Sequence, residues 1–184
     1  MPLLTVNQCR NIMNLTRPKF NDEGVVVLKQ MRRSDRMMEA EAAMELLKKG
    51  MYGVLSTVDD SNQPYGVPLS YAVSGSGKAI YFHGAQSGHK LDNIGINSKA
   101  CFTVIGATRV LPEKFSTEYE SVIVYGNAKL IEGEEKLEAL KTVIQKYSAD
   151  FIKEGDEYIA RAAANTAVFK LEIDHFTGKS RTEA

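Results

Sequence analysis

The residues of this chain that could do chemistry are concentrated in residues 81–94, YFHGAQSGHKLDNI. An apolar run brings Phe82 and His83 to the end of a predicted strand, two glycines follow, and a helix is predicted to begin near Gly88 with Lys90 in its first turn. The first N–H groups of a helix have no partners within the helix, and a lysine adds a charged donor. The stretch therefore predicts an anion site suited to a phosphate group.

The glycine spacing excludes two common nucleotide sites. Gly84, Gly88 and Lys90 are too close together for the G-x-x-x-x-G-K-[ST] loop. Gly75 and Gly77 lack the third glycine of a dinucleotide fingerprint and lie outside any predicted βαβ unit. No G-x-S-x-G elbow and no H-E-x-x-H motif occurs, so we expect no resident metal. The chemistry would have to come from an organic cofactor.

Simpler interpretations exist for several of these residues. Lys90 also suits a solvated helix lysine, and His83 suits a hydrogen-bonded surface or core histidine. Three polar or aromatic residues of other predicted strands could also contact a ligand, but Ser56 and Thr57 fit any strand. Tyr71 and Phe82 fit a hydrophobic core as well as they fit a ligand contact. Two further residues are predicted to be structural, His175 as a buried histidine in register with a final strand and Cys101 as an inert core thiol.

The elements that must position these residues form a mixed pattern of strands and helices. Apolar residues at helical spacing, such as Met37, Ala40, Met44 and Leu47, alternate along the chain with short β-prone runs closed by turn formers. Helices are predicted over residues 34–49, 89–96 and 134–147, and strands over residues 52–58, 65–73, 78–83, 100–110, 121–131 and 169–174. About six mostly sequential strands with flanking helices predict an α+β protein built on a small antiparallel barrel.

Length and charge exclude several classes of protein. The 184 residues are 43% hydrophobic and 25% charged, which suits one globular core. The 23 basic and 23 acidic residues give no net positive field, so nucleic-acid and membrane partners are disfavoured. Cys9 and Cys101 match neither a disulfide framework nor a zinc site, and no signal or membrane-spanning segment is apparent. These features predict a cytoplasmic protein.

Five short strings carry a resemblance. They occur in order at residues 68–71 (PLSY), 81–85 (YFHGA), 88–93 (GHKLDN), 115–122 (FSTEYESV) and 177–179 (TGK). Together they resemble the nitroimidazole-resistance (Nim-type) branch of the pyridoxamine 5′-phosphate oxidase-like, FMN-binding split-barrel superfamily. The resemblance makes residues 31–184 one FMN-binding domain and leaves residues 1–30 as an N-terminal extension, either a natural arm or an artificial addition.

The resemblance implies a Greek-key split barrel that forms a homodimer, with FMN in two equivalent clefts at the interface. The residues that it implies for flavin contact are Ser56, Thr57, Pro68, Leu69, Ser70, Tyr71, Phe82, His83, Gly84 and Ala85. His89 and Lys90 would hold the phosphate, and Ser116, Tyr119 and Ser121 would close the cleft from the other subunit.

The same resemblance implies a function. The chain would be an FMN-dependent oxidoreductase that reduces a small aromatic or heteroaromatic substrate, such as a nitroimidazole, with His83 as the catalytic proton donor. Use of a deazaflavin is a second enzymatic possibility. A different class stays open: a non-catalytic split barrel that binds or sequesters a flavin or heme, with His83, His89 and His175 as potential heme ligands.

Overall fold

The computed structural model describes residues 31–182, so the predicted extension over residues 1–30 lies outside the described residues. Contacts divide the chain into residues 1–34 and 35–184, and the second unit carries the sheet and its flanking helices. The helices are α1 (Ala40–Lys49), α2 (His89–Ile96), α3 (Gly133–Tyr147) and α4 (Ile152–Ala162). The strands are β1 (Gly53–Val58), β2 (Pro64–Leu69), β3 (Ala72–Val73), β4 (Ala79–Gly84), β5 (Lys99–Leu111), β6 (Ser116–Leu130) and β7 (Ala167–Arg181).

The seven strands within residues 31–182 form one antiparallel sheet in the order β2-β1-β5-β6-β7-β4-β3. The edge strands β2 and β3 are neighbours in sequence, joined only by Ser70 and Tyr71. Such a link reaches about 11 Å at full extension, because consecutive Cα atoms are about 3.8 Å apart. The sheet must therefore curl until its two edges approach each other, although no described ladder of hydrogen bonds closes it.

The concave face of the curled sheet holds the main core. Phe82, Phe102 and Phe169 have no exposed surface, and the centroid of the Phe82 ring lies 5.0 Å from the centroid of each of the other two rings. Helix α1 adds Leu47 to this cluster and α2 adds Leu91. Side chains alternate between the two faces of each strand, so every second residue of the central strands enters this core.

The convex face is covered over only part of the sheet. Tyr81 of β4 and Val168 of β7 pack there against α3 and α4, which contribute Leu140 and Ile159. On β1 and β5 the convex face is open: Val54 is 37% exposed and Ile105 is 67% exposed. The described part of the chain thus leaves apolar side chains uncovered on this half of the sheet.

Tyr147, the last residue of α3, holds the link between the edge strands. The Tyr71 N–H donates to the Tyr147 hydroxyl oxygen at 2.9 Å. The Tyr147 hydroxyl has two carbonyl acceptors, Met51 at 2.7 Å and Tyr71 at 2.8 Å. The Tyr71 phenol is itself buried and donates to the Leu47 carbonyl at 2.5 Å, and desolvation raises its pKa far above the usual range.

The predicted helices at residues 89–96 and 134–147 are confirmed within one residue, whereas α1 begins at Ala40 rather than residue 34. The sequence analysis does not predict α4, although Ile152, Ile159 and Ala162 recur at helical spacing, and the glycine at position 155 is unfavourable inside a helix. The predicted strand over residues 65–73 is interrupted at Ser70 and Tyr71. The α+β class is confirmed, with seven strands in place of about six and an open sheet.

The prediction of a buried structural His175 is wrong, because this residue is exposed. Tyr125 pairs with His175 and the next residue, Gly126, pairs with Ile173, so β7 carries one extra residue, Asp174. A β-bulge of this kind reverses the alternation of faces along a strand. Ile173 therefore keeps its place against the core, while His175 falls on the other face.

We expect Tyr147→Phe to lower the free energy of unfolding by about 1–3 kcal/mol, because it leaves the Tyr71 N–H without its acceptor. Urea unfolding measures the change. Tyr158→Phe on α4 is the matched control, since this side chain is 61% exposed, and it should shift stability by less than about 0.5 kcal/mol. Equal losses in both variants would contradict this account of the link.

Candidate functional site

The predicted anion site lies where β4 ends and α2 begins. The Lys90 ammonium lies against Gly84: a Cβ at that glycine would be 3.3 Å from Lys90 Nζ. Gly88, just before α2, has a φ of +135°, which favours glycine. The Gly88 carbonyl accepts from the N–H groups of Leu91 and Asp92, which leaves the N–H groups of His89 and Lys90 without acceptors inside the helix.

Helix α2 is anchored by two contacts to neighbouring strands. The His89 and Tyr65 rings have centroids 4.2 Å apart and are tilted by 33°. The Asn93 amide donates to the Thr57 hydroxyl at 3.0 Å, and both side chains are only 1% exposed. Buried polar groups need such partners. Thr57 therefore fixes the position of α2 through its side chain, whereas its neighbour Ser56 lies half-buried on the convex face.

The Lys90 charge has no carboxylate partner among residues 31–182. The Lys90 side chain is half-buried where β4 ends and α2 begins, rather than fully solvated. An unpaired, partly desolvated ammonium next to unpaired N–H groups suits a ligand with a negative charge.

His83 lies on the other face of β4. It alternates with Phe82 and Gly84 and shares the convex face with Ala79 and Tyr81. The side chain is exposed, yet desolvation by the surrounding protein atoms lowers its pKa below the usual 6.5. The sequence predicts His83 and Lys90 beside one ligand, and the structure brings both to the end of β4 but from opposite faces.

Tyr71 and Phe82 are fully buried, so their side chains are occupied by the core and only their backbones could meet a ligand. Pro68 and Ala85 are exposed, and Leu69, Ser70 and Gly84 are half-buried, while His89 is exposed at the start of α2. Not all of the predicted residues on β1, β2 and β4 therefore have a side chain that is free to contact a ligand.

Ser116, Tyr119 and Ser121 lie elsewhere, on a ribbon formed by residues 105–123 of β5 and β6 together with the end of β7. Ser56 is in register with Cys101 of β5, and Cys101 with Tyr125 of β6. At about 3.4 Å per residue, Ser121 lies about 14 Å along β6 from Tyr125, and Ser116 lies about 30 Å from it. One chain does not bring these three residues to Lys90.

Two clefts of about 640 and 600 Å³ exist away from this region, one between β3 and α3 and one between α1 and β7. Neither is lined by a residue that is predicted to contact the flavin. Among the described residues, no group of three or more His, Cys, Asp or Glu side chains could hold a metal ion. None of the described helices is both long and apolar enough to cross a membrane.

Sequence reasoning missed two residues of this site, Asn93 and Tyr65. Asn93 contributes to the sequence analysis only as part of a motif, although a polar residue between the apolar Leu91 and Ile94 of an amphipathic helix is a signal of a buried hydrogen bond. Tyr65 gives no such signal, because an aromatic residue in a β-prone run is ordinary. Its contact with His89 depends on how α2 returns to the sheet.

Solved structures with a similar fold include three whose names suggest a cofactor or a resistance role. A proposed 5-nitroimidazole antibiotic resistance protein from Bacteroides thetaiotaomicron is 21% identical, with a TM-score of 0.62 over 78% of this chain and 86% of that one. The FAD- and heme-binding protein from Mycobacterium smegmatis is 18% identical, with a TM-score of 0.71 over 80% and 74%. A flavocytochrome from Azotobacter vinelandii is 21% identical, with a TM-score of 0.66 over 84% and 73%.

These likenesses concern the fold, since all three identities are below 25%. No curated protein matches the chain significantly. The sequence profile of one family, described as pyridoxamine 5′-phosphate oxidase, matches residues 39–180. This range holds every predicted site residue from Ser56 to Ser121 as well as α1 to α4, and it is well over half of the chain. The chain therefore belongs to the pyridoxamine 5′-phosphate oxidase family.

Proposed function

We propose that this protein is an FMN-dependent oxidoreductase that reduces a small aromatic or heteroaromatic substrate, as in the nitroimidazole-resistance branch of its family. The observation that carries the proposal is the unpaired Lys90 ammonium beside Gly84 and the open first turn of α2. Family membership and the flavin named in several structural neighbours point the same way.

The residues at the end of β4 fit the phosphate of FMN. Gly84 has no Cβ, so the Lys90 ammonium can lie against its backbone. Lys90 and the first-turn N–H groups of α2 would hold the phosphate by charge-assisted hydrogen bonds. The His89 ring, already packed against Tyr65, would border it. Bound FMN would supply the electron-transfer chemistry that no side chain here provides.

A second copy of the chain would complete the site. In our proposal the curled sheet is the Greek-key split barrel of the family, and two copies pack through the open convex face of β1 and β5. The ribbon of one copy would bring Ser116, Tyr119 and Ser121 to the flavin of the other. The exposed apolar residues support this arrangement, because Ile105 and Val110 are about two-thirds exposed and Phe115 is 99% exposed.

His83 is the proposed proton donor to the substrate. Because β4 ends at Gly84, a planar ligand bound at this end could contact His83 on one face of the strand and Lys90 on the other. The lowered pKa makes the imidazole mainly neutral at pH 7, so its protonated form becomes abundant only in acid. A reaction that needs this proton should slow as pH rises through the lowered pKa.

The alternative is a non-catalytic protein that binds or sequesters a flavin or heme. It is favoured by structural neighbours named as heme-binding and as FAD-binding proteins from Mycobacterium smegmatis. The visible spectrum of the purified protein separates the cofactors, since a flavin gives two broad bands and heme a sharp Soret band. Turnover of a nitro compound with NADH or NADPH then separates an enzyme from a binder.

FMN should copurify with the protein, and Lys90→Ala should weaken its binding about 10–100-fold, because charge-assisted hydrogen bonds to phosphate are lost. Fluorescence titration with FMN and riboflavin measures both affinities. Riboflavin, which has no phosphate, should bind both proteins equally, and Lys48→Ala on the exposed face of α1 should change neither affinity. An equal loss for riboflavin and FMN would assign Lys90 to the fold.

We expect His83→Ala to retain FMN but to slow reoxidation of the reduced flavin by a nitroimidazole about 100-fold or more, if proton transfer limits the rate. Anaerobic stopped-flow measurements from pH 5 to 9 test this. The parental rate should fall with rising pH around a midpoint below 6.5, as the lowered pKa requires. His83→Gln, which cannot titrate, should lose this pH dependence. Parental rates and profiles in both variants would remove His83 from catalysis.

The protein should be a homodimer that Ile105→Lys dissociates, because a charge would be placed on the open apolar face. Sedimentation at micromolar concentration measures the mass. Phe151→Lys is the control, since this side chain is 61% exposed but lies next to α4, and it should leave the dimer intact. A monomeric parental protein loaded with FMN would defeat the proposed dimer.

A further inference from the structure

One side chain holds the glycine loop, which we define as residues 84–88. Strands β4 and β7 pair as far as Gly84 and Ala167, where the ladder ends. Just beyond this pair, the Gln86 side chain bridges the two segments, because its Nε2 donates to the Ala164 carbonyl at 2.6 Å. The two residues are 78 positions apart in the sequence, so this hydrogen bond is a tertiary contact.

The tip of the glycine loop has little else to restrain it. Residues 85–88 are all exposed, so their side chains pack against little of the protein. Within residues 31–182, the Gln86 side chain makes the one hydrogen bond that joins residues 85–87 to another part of the chain. A Cβ at Gly88 would meet no atom within 4 Å. The Gln86 hydrogen bond is therefore the main restraint on the chain between β4 and α2.

The acceptor of this hydrogen bond lies in a turn that has hydrogen bonds of its own. We define the α4–β7 turn as residues 163–166. The Thr166 N–H donates to the Ala163 carbonyl at 3.2 Å, and Thr166 Oγ1 donates to the Ala162 carbonyl at 2.9 Å. Ala163 also packs against the core cluster on the convex face. The turn is thus fixed to the core and can hold the glycine loop in one place.

The glycine loop leads directly to the groups that are proposed to hold the phosphate. Gly84 lies against the Lys90 ammonium, and the free N–H groups of His89 and Lys90 follow Gly88. The hydrogen bond between Asn93 and Thr57 fixes only the second turn of α2. A loop with several conformations would pay for ordering when a phosphate binds. A loop that Gln86 already holds does not have this entropic cost.

We propose that Gln86 is a positioning residue that couples the glycine loop to the α4–β7 turn, so that binding of the FMN phosphate and ordering of this turn stabilise each other. The proposal rests on the proposed function, since FMN is the ligand. Gln86 acts through the loop and does not contact the reacting atoms. Coupling between two places is reciprocal, so the factor that the turn adds to FMN affinity is the factor that FMN adds to the stability of the turn.

Gln86→Met tests the coupling, because methionine is nearly as long as glutamine but has no N–H donor. The net effect of one hydrogen bond is about 3–10-fold in an equilibrium constant, so this variant should raise the Kd for FMN by that factor. Riboflavin, which has no phosphate, should bind the variant and the parental protein equally. Gln145→Met on α3 is the matched control, since Gln145 is exposed and makes no hydrogen bond within residues 31–182. It should change neither affinity.

Hydrogen exchange of the α4–β7 turn is a second measurement, and it needs no turnover. FMN should slow exchange of the Thr166 N–H about 3–10-fold in the parental protein and in Gln145→Met, whereas riboflavin should not. In Gln86→Met, saturating FMN should leave this exchange rate unchanged, because the contact between loop and turn is lost. A variant that only weakens the fold would instead exchange faster at many sites, with and without FMN.

The outcomes separate the two proposals. Equal FMN affinity of Gln86→Met and the parental protein, or slowing of Thr166 exchange by FMN that persists in Gln86→Met, overturns the coupling and leaves the proposed reductase intact. An equal loss of affinity for riboflavin and FMN assigns Gln86 to the fold and also overturns the coupling. The expected shifts without reduction of a nitroimidazole support the coupling and defeat the reductase. A parental protein that binds no FMN overturns both proposals.

Discussion

The fold depends on one short connection, the two residues that join the opposite edges of the sheet. Because Ser70 and Tyr71 can span only about 11 Å, the seven strands cannot lie flat. The curl brings the edge strands β2 and β3 towards each other, and α2 can then reach from the end of β4 back to β1. The hydroxyl of Tyr147 and the buried phenol of Tyr71 hold this connection in place.

The same curl explains why one chain does not bring all of the predicted site residues together. Strands β5, β6 and β7 run past the ends of their neighbours and carry Tyr119 and Ser121 away from Lys90. The predicted anion site at α2 consists of backbone groups and one lysine, whereas the ribbon offers hydroxyls and exposed apolar residues. In the proposed dimer, the two ends of one chain would each contribute to a site shared with the other copy.

Local patterns in the sequence predicted the elements well, and long-range pairing was harder to predict. The glycines and the lysine of residues 84–90 indicated a strand end followed by a helix, because these conformational needs are local. The exposure of His175 depends on a bulge at Asp174, and the hydrogen bond of Gln86 depends on the turn at Ala164. Neither contact leaves a periodic signal in the sequence. Tyr71 and Phe82 fitted both a core and a ligand contact, and only packing distinguishes these alternatives.

The hydrogen bond between Asn93 and Thr57 has a consequence for the thermodynamics of ligand capture. It ties the second turn of α2 to the buried interior, so the N–H donors of the first turn would already be oriented before a ligand binds. A preorganised site of this kind spends little conformational entropy on binding. Its heat capacity change should then reflect the surface that the ligand covers rather than folding of the protein around it.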